Sequence, residues 1–296
     1  MGILNLASAT VGGNALQARL HEVAITSPDP SGLAAFYTSA LGFAFHAERG
    51  EMAGRTFDRR IRIASGPPKE LLRATFAVDD PSEIEALRDR LLTAGYEVSM
   101  GECPGHVGET ISFRDPDGNR LLFGIPVEDD GDLDGSEPGK GVGALPARLQ
   151  HVVLASTDID VMLCFYSDVV GFGLSDRVVN EEGVLKSAFL RCSHEHHSLA
   201  LFAASANRLD HWCHEAGDWL LIRDWADHFA QLRVPLQWGP GRHGPGNNLF
   251  LFVHDPDGNW IELSAELEHV AADRPTGIWH HEERTLNQWG PGKLRV

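Results

Sequence analysis

An internal repeat is the sequence feature that most limits how this chain of 296 residues can fold. The stretch RLHEVAITSPDPSGLAAFYTSALGF in the first half is matched by RLQHVVLASTDIDVMLCFYSDVVGF in the second half. Tyr37 and Tyr166 lie 129 positions apart, whereas the Asp-Pro-Asp-Gly-Asn stretches that begin at Asp115 and Asp255 lie 140 positions apart. Such self-similarity indicates one structural unit present twice, with about eleven extra residues in the second copy.

Each copy contains the same coarse pattern of strand and helix twice. In the first copy, HEVAIT alternates as a short strand does, and SGLAAFYTSALG has apolar residues at helical spacing. LRATFAV and PSEIEALRDRLLTAG repeat this strand and helix, and β-rich segments bounded by Gly follow. The Asp-Pro-Asp-Gly step predicts a tight turn between two closing strands, because Pro fixes φ and Gly tolerates positive φ. An α+β fold of four βαβββ modules is therefore predicted.

The predicted organisation is two tandem domains, each of two βαβββ modules that form a partly open barrel around a pocket. Between the copies, VEDDGDLDGSEPGKGVGALP is acidic, rich in Gly, Ser and Pro, and almost without side chains to bury, which is typical of a linker. We place the first domain at residues 1–127, the linker at 128–146 and the second domain at 147–296. A prior of roughly 150 residues per domain agrees with this division.

Composition restricts the partners of the chain. The formal net charge of −17 makes nucleic acid and anionic membrane surfaces unfavourable partners and favours a small-molecule ligand. No apolar run approaches the ~20 residues that span a bilayer. The start MGILNLASAT lacks the basic residues and long apolar core of a secretory signal. The four cysteines form no Cys-x-x-Cys pair, which predicts reduced thiols and a cytoplasmic location.

The two copies differ at three positions that could hold a metal ion. Glu262 of the second copy corresponds to Leu122 of the first copy. In the same way, His151 corresponds to Glu22, and His211 corresponds to a small residue near Ala74. Two imidazoles and one carboxylate on one face of a metal, with the other positions open, are typical of non-haem Fe(II) oxygen chemistry. The sequence therefore predicts a metal site in the second copy and a scaffold role for the first.

Each of these residues also has a plainer interpretation. A chain with 15 His places several on strands by chance, and a His there is more often a partly buried, satisfied side chain than a ligand. A carboxylate in a core is costly unless it is paired or metal-bound, but Glu262 could instead face outward on an edge strand. His214 competes with His211 for the metal, although its position three residues along the same strand predicts that it faces the other side.

The stretch GRHGPGNNLFLFVHDPDGNWIE resembles the fingerprint of the type I extradiol ring-cleaving dioxygenases of the vicinal oxygen chelate superfamily. That fingerprint runs from Gly-x-His through an apolar-Tyr pair and an Asp-Pro-x-Gly turn to a metal-binding Glu, and His243 and Glu262 take the corresponding places here. The resemblance extends over roughly residues 15–290. One position departs from it, because Phe252 stands where the family has Tyr and so lacks a hydroxyl near the metal.

The resemblance implies a role for each residue of the site. His151, His211 and Glu262 are implied to be the ligands of Fe(II), and Mn(II) also suits such a set. His197, within RCSHEHHSLALF, is implied to act as general acid and base, and His243 to hydrogen-bond the substrate oxygen.

The environment of His197 has two interpretations. If its segment is a strand, His196 points to the opposite side from His197. A solvated polar turn at His194, His196 and His197 is the alternative.

The implied activity is extradiol cleavage of a catechol-type aromatic diol with O2, giving a muconic semialdehyde-type product, in a homo-oligomer. A non-redox lyase or isomerase of the same superfamily is one alternative, although such sites typically add a fourth protein ligand. A small-molecule binding protein without turnover is another, although it has no need for His197 and His243. The tail GIWHHEERTLNQWGPGKLRV resembles a segment that covers the pocket mouth in such enzymes; it is predicted to be a lid, or a strap that packs Trp279 and Trp289 outside the barrel.

Overall fold

The computed structural model describes residues 16–56, 59–127 and 145–293 of the chain. The predicted linker at 128–146 lies outside these residues, apart from its last two positions. Secondary structure within the described ranges consists of two mixed β-sheets and five short helices. None of these helices is long and apolar enough to cross a membrane.

The first sheet has eight strands in the spatial order β2-β3-β4-β1-β5-β8-β7-β6. Its strands are β1 (Arg19–Ser27), β2 (Ala44–Glu48), β3 (Glu51–Thr56), β4 (Arg59–Ser65), β5 (Leu71–Ala77), β6 (Val98–Glu102), β7 (His106–Arg114) and β8 (Arg120–Pro126).

The second sheet has nine strands in the spatial order β14-β15-β16-β13-β9-β12-β11-β10-β17. Its strands are β9 (Arg148–Ser156), β10 (Gly173–Val179), β11 (Leu185–Arg191), β12 (Leu199–Ala203), β13 (Arg208–Glu215), β14 (Trp238–Arg242), β15 (Leu249–His254), β16 (Trp260–Ala265) and β17 (Gly277–His280).

The two sheets have the same topology, which confirms the predicted α+β fold of βαβββ modules. Apart from β17, each strand of the second sheet corresponds to the strand of the first sheet whose number is lower by eight, and corresponding strands have corresponding neighbours. The predicted hairpins at the Asp-Pro-Asp-Gly steps join β7 to β8 and β15 to β16 as antiparallel pairs. The added strand β17 pairs in parallel with β10 at the sheet edge, a position that the repeat alone does not predict.

The helices begin where the sequence supplies acceptors for their first backbone N–H groups. They are α1 (Pro30–Leu41), α2 (Pro81–Thr93), α3 (Ile159–Cys164), α4 (Trp219–Gln231) and α5 (Glu283–Leu286), and α3 continues as one π-helical turn over Phe165–Val170. The carboxylates of Asp29, Asp158 and Asp218 accept hydrogen bonds from amides in the first turns of α1, α3 and α4. Such caps satisfy amides that have no partner within the helix.

Two reciprocal hydrogen bonds join the copies and explain why Asp-Pro-Asp-Gly-Asn occurs twice. The hydroxyl of Tyr37 on α1 donates to Asp255 of the second copy at 2.8 Å, and the hydroxyl of Tyr166 donates to Asp115 of the first copy at 2.8 Å. Each Asp also accepts from the Asn four residues later, which closes its own turn. The two turns are therefore hairpin connections and docking points for the opposite copy.

One hydrophobic core continues through both copies. Tyr37 stacks on Trp212 of β13 with ring centroids 6.5 Å apart, and His214 of the same strand lies 6.2 Å from Phe43. Since alternate residues of a strand share a face, these contacts turn the opposite face of β13, which carries His211, away from the first copy. The prediction that His214 faces the other side from His211 agrees with this packing.

We expect Tyr37→Phe and Tyr166→Phe to lower the free energy of unfolding by about 1 to 3 kcal/mol each, because each removes a hydrogen bond to a buried carboxylate. Urea denaturation followed by fluorescence measures the loss. Tyr96→Phe, at the third tyrosine, is the matched control and should cost less. Equal stability of all three variants and the parent would show that the reciprocal bonds do not hold the copies together.

Candidate metal centre and active site

Three adjacent strands at the centre of the second sheet carry the predicted ligands. Cys213 of β13 is in register with His151 of β9 and with Glu262 of β16. His211 lies on the same face as Cys213, because it is two residues away on the same strand. The Nε2 atoms of His151 and His211 are each 3.2 Å from Oε2 of Glu262, and all three side chains are buried. Glu262 is therefore not an outward-facing residue of an edge strand.

The outer nitrogens of both imidazoles are held by the residue that precedes each His. Nδ1 of His151 contacts the side-chain oxygen of Gln150, and Nδ1 of His211 lies 2.7 Å from a carboxylate oxygen of Asp210. Both oxygens accept hydrogen bonds, so each Nδ1 carries the proton. Both Nε2 lone pairs then face Glu262, which is the arrangement that metal-binding histidines adopt.

The charges at this point suit a divalent cation. Burial acts to raise the pKa of Glu262, but the neighbouring imidazoles of His151, His211 and His243 hold it well below its usual value, so the carboxylate is ionised. Burial lowers the pKa of His151 and leaves that imidazole neutral. Burial acts to lower the pKa of His211, but Asp210 and Glu262 raise it overall, so a proton on this imidazole and a metal cation compete for the place beside the buried anion. Nitrogen and oxygen donors of this kind bind Fe(II) and Mn(II).

Cys213 is a rival for the place of His211. Its Sγ lies within 4.8 Å of ligand atoms of His151 and Glu262. A thiol binds metal as the thiolate, however, and burial together with the charge of Glu262 raises the pKa of Cys213 well above its usual value. His211 forms part of the wall of the adjoining cavity, whereas Cys213 is not among the described residues that line it. These observations favour His211.

Ion pairs occupy the equivalent position in the first copy. Thr75 is in register with Glu22 in the first copy, as Cys213 is with His151 in the second copy. His211 lies two residues before Cys213, so its counterpart lies two residues before Thr75 and is Arg73. The expectation of a small residue near Ala74 was wrong by one position, because Arg73 and His211 lie 138 positions apart (211 minus 73), which matches neither of the repeat offsets of 129 and 140.

The charges of the first copy satisfy one another. The carboxylate of Glu22 accepts hydrogen bonds from Arg62 at 2.9 Å and from Arg73 at 2.7 Å, and Leu122 contributes no donor atom. A carboxylate that is already paired with two guanidinium groups has little tendency to bind a metal cation.

His197 and His196 are both buried, so the solvated turn is wrong for them. They lie in the loop between β11 and β12 and not on a strand. The ring of His197 packs at 4.4 Å from that of His151 and at 5.2 Å from that of Phe189, beside the candidate metal centre. His196 points away from the centre towards Asp176, although the strand on which that expectation rested is not formed, and His194 is exposed.

His243 approaches the centre from the opposite side. Its Nε2 is 3.6 Å from Oε1 of Glu262, and its ring stacks on Phe250 with centroids 3.9 Å apart. Its Nδ1 donates to the carbonyl oxygen of Leu286 on α5 at 2.5 Å, which leaves Nε2 as an acceptor facing Glu262. The C-terminal segment therefore sets the orientation of this imidazole.

A cavity of about 120 Å³ joins the candidate ligands to His197 and His243. Its wall includes Phe189, Phe202, Trp238 and Phe252, so an aromatic ring finds apolar neighbours there. The tail also lines it, through His281, Thr285, Leu286 and Lys293.

Two features of the tail correspond to the two interpretations of the sequence. Thr285 and Leu286 lie at the cavity as a lid does, and β17 is attached to the sheet edge as a strap is. Trp279 packs against the second sheet, whereas Trp289 is half exposed.

Gln150 and Asp210 were not singled out in the sequence, although each stands directly before a predicted ligand. A polar residue before a His on a strand is common, and neighbouring side chains of a strand point to opposite faces. The sequence spacing therefore does not indicate that their oxygens reach the Nδ1 atoms.

We expect His211→Ala and Glu262→Ala to abolish tight binding of Fe(II), because each removes a donor from the buried centre. Cys213→Ala is the matched control on the same strand face and should retain the metal. Metal content after anaerobic loading and desalting, measured by mass spectrometry, decides between His211 and Cys213. Retention by His211→Ala and loss by Cys213→Ala would make the thiol the ligand.

Comparisons with known proteins agree with this architecture. A profile described as Glyoxalase/Bleomycin resistance protein/Dioxygenase superfamily matches residues 19–123 and 148–263, which are the two copies. The fold resembles that of homoprotocatechuate 2,3-dioxygenase from Arthrobacter globiformis, with a TM-score of 0.80 and 23% identity over 96% of this chain and 89% of that one.

Two relatives are similar over most of the sequence. Metapyrocatechase 2 from Cupriavidus necator is 31% identical over 248 residues, which cover 78% of this chain and 75% of that protein. An iron-dependent extradiol dioxygenase from Rhodococcus jostii (strain RHA1) is 28% identical over 251 residues, which cover 79% of this chain and 82% of that protein. The chain belongs to the Glyoxalase/Bleomycin resistance protein/Dioxygenase superfamily and, within it, to the extradiol dioxygenases.

Proposed function

We propose that this protein cleaves the ring of a catechol-type substrate with O2, beside the two hydroxyl-bearing carbons, and forms a muconic semialdehyde-type product. The observation that carries the proposal is the convergence of His151, His211 and Glu262 at one buried point, with His197 and His243 on the same cavity. The names of the relatives, metapyrocatechase and iron-dependent extradiol dioxygenase, support the same reaction class.

The proposed metal is Fe(II), and Mn(II) also suits the donors. Nε2 of His151, Nε2 of His211 and the carboxylate of Glu262 would hold it. When bound, such an ion lowers the pKa of the substrate hydroxyls and transfers electrons between the ring and dioxygen. The apolar cavity wall keeps bulk water from the substrate ring.

His243 is proposed to orient the substrate. Because Leu286 fixes the proton on Nδ1, Nε2 of His243 can accept a hydrogen bond from a substrate hydroxyl close to Glu262. This contact would select one of the two diol oxygens and thereby set which side of the ring faces His197.

His197 is proposed to hold and return a proton. Burial is the main cause that lowers the pKa of His197 well below its usual value, and the imidazoles of His151 and His196 lower it further. The ring is therefore neutral and can act as a base. Nδ1 of His197 contacts His196, which leaves Nε2 for exchange with the substrate. A neutral imidazole at this place can accept the proton of a substrate hydroxyl and donate it later to the departing oxygen.

A non-redox lyase or isomerase reaction is the main rival, since it would use the same metal as a Lewis acid. Among the described residues, Cys213 lies beside the centre as a candidate for the expected fourth protein ligand, and the raised pKa of that thiol argues against ligation. Self-association and a cytoplasmic location remain predictions from the sequence.

We expect protein loaded anaerobically with Fe(II) to consume one O2 per catechol and to form a yellow ring-cleaved product. An oxygen electrode and the absorbance spectrum measure both quantities with catechol, 3-methylcatechol and biphenyl-2,3-diol. Glu262→Ala is the control for metal-dependent uptake. No uptake with any diol despite bound metal would contradict the proposal and favour the lyase or the binding protein.

We expect His197→Phe to lower kcat by about 10² to 10⁴, the usual contribution of a general acid or base, while metal content and anaerobic substrate binding remain. The exposed neighbour offers a matched control, and His194→Phe should turn over at the rate of the parent. Unchanged turnover in His197→Phe would remove the proton-transfer role from this residue.

A further inference from the structure

A buried chain of three polar side chains runs from the cavity wall into the second sheet. Nδ1 of His197 is 3.0 Å from Nδ1 of His196, and Nε2 of His196 is 3.1 Å from Oδ2 of Asp176 on β10. Asp176 and His196 are fully buried, with 0% of their surface exposed. The His196 to Asp176 contact is short but poorly aligned for a hydrogen bond, so its effect is mainly electrostatic.

The surroundings of Asp176 keep its carboxylate ionised. Arg274 donates to Oδ1 at 2.8 Å, and the indole N–H of Trp279 donates to Oδ2 at 2.7 Å. Burial acts to raise the pKa of Asp176, but the nearby imidazole of His196 and the hydrogen bonds from Arg274 and Trp279 lower it below its usual value. Gly277 permits this packing, because a Cβ there would lie 2.3 Å from Oδ1 of Asp176.

The carboxylate determines where His196 carries its proton. A lone pair on Nε2 would face the negative oxygen of Asp176 and be repelled, so Nε2 carries the hydrogen. Nδ1 of a neutral His196 is then an acceptor. Its contact with Nδ1 of His197 requires a hydrogen between the two atoms, and that hydrogen must belong to His197.

We propose that Asp176 and His196 are positioning residues that hold His197 as the Nδ1–H tautomer, with an unprotonated Nε2 facing the cavity. This proposal rests on the proposed function, since an Nε2 base at that place matters only if a substrate proton is transferred there. Neither Asp176 nor His196 lines the cavity among the described residues, so both act through His197.

A purely structural role for Asp176 is the competing explanation, because the same carboxylate anchors Arg274 and Trp279 of the C-terminal segment. The two explanations differ in what Asp176→Asn does. The Asn side chain has no negative charge and no longer favours a hydrogen on Nε2 of His196, so the His196 proton can move to Nδ1 and leave His197 as the Nε2–H tautomer. Arg274→Met loosens the same anchor but keeps the carboxylate, and so is the matched control.

The first measurement is the tautomer of His197 in the full-length protein with Zn(II) in place of iron, read from long-range ¹H–¹⁵N correlation spectra. The His197 signals are assigned by their loss in His197→Phe. We expect Nδ1–H in the parent and in Arg274→Met, and a shift towards Nε2–H in Asp176→Asn. An Nε2–H tautomer in the parent, or no change in Asp176→Asn, would overturn the proposal.

The second measurement is steady-state oxygen uptake by the Fe(II)-loaded proteins. Asp176→Asn should lower kcat by about 10²-fold, at the low end of acid and base effects, with KM and metal content near those of the parent. His196→Phe keeps a ring in place, removes the acceptor and should lower kcat in the same way if Asp176→Asn does not fold. A kcat near that of the parent in either folded variant would overturn the proposal.

The two measurements separate this proposal from the proposed function. The spectra report the tautomer whether or not the parent consumes O2. If the parent shows the Nδ1–H tautomer and consumes no O2, the proposed function fails, and with it the positioning role for proton transfer.

Discussion

A carboxylate buried in a protein core must be neutralised, and the second copy is arranged around that requirement at Glu262. Three imidazoles surround this side chain, and two of them approach one carboxylate oxygen to 3.2 Å. The requirement explains why polar residues stand behind the imidazoles of His151 and His211. Without Gln150 and Asp210, the imidazoles could turn N–H groups towards the centre and satisfy Glu262 by themselves. With these acceptors in place, two lone pairs and one anion share a point that suits a cation.

Duplication allows the rest of the molecule to support this unfavourable arrangement. In the first copy, the same strand positions hold Glu22 between two guanidinium groups, so the charges there are satisfied within the protein. The reciprocal bonds of Tyr37 and Tyr166 dock each copy on the hairpin turn of the other. The first copy thereby supports the ligand-bearing strands from behind, and its described residues at the corresponding positions form ion pairs instead of a metal site.

The C-terminal segment contributes to both sides of the cavity. On one side, the backbone of Leu286 orients His243, and on the other side Arg274 and Trp279 hold Asp176 behind His196 and His197. A single segment that follows the repeat therefore contacts His243 directly and is linked to His197 through Asp176 and His196. The C-terminal segment therefore orients side chains of the site, in addition to covering the cavity as a lid does and pairing with the sheet edge as a strap does.

The sequence by itself determined the features that depend on local pattern or on the repeat. Alternation and helical spacing predicted the βαβββ modules, the Asp-Pro-Asp-Gly steps predicted the closing hairpins, and differences between the copies indicated His151, His211 and Glu262. The inferences about the fold succeed because strand periodicity, turn chemistry and aligned repeats are properties of neighbouring or matched residues. The assignment of His197 and His243 needed a resemblance as well, because no spacing marks them.

Tertiary structure decided what depends on strand register and on contacts between distant segments. The register between β1 and β5 placed Arg73, and not a small residue, at the position that His211 takes in the second copy. Asp176 and Trp279 are more than a hundred positions apart in the chain, yet the parallel pairing of β10 with β17 brings them to 2.7 Å. Strand register depends on which residues of two distant strands pair, and an added strand can pair at any free edge, so neither result follows from local pattern.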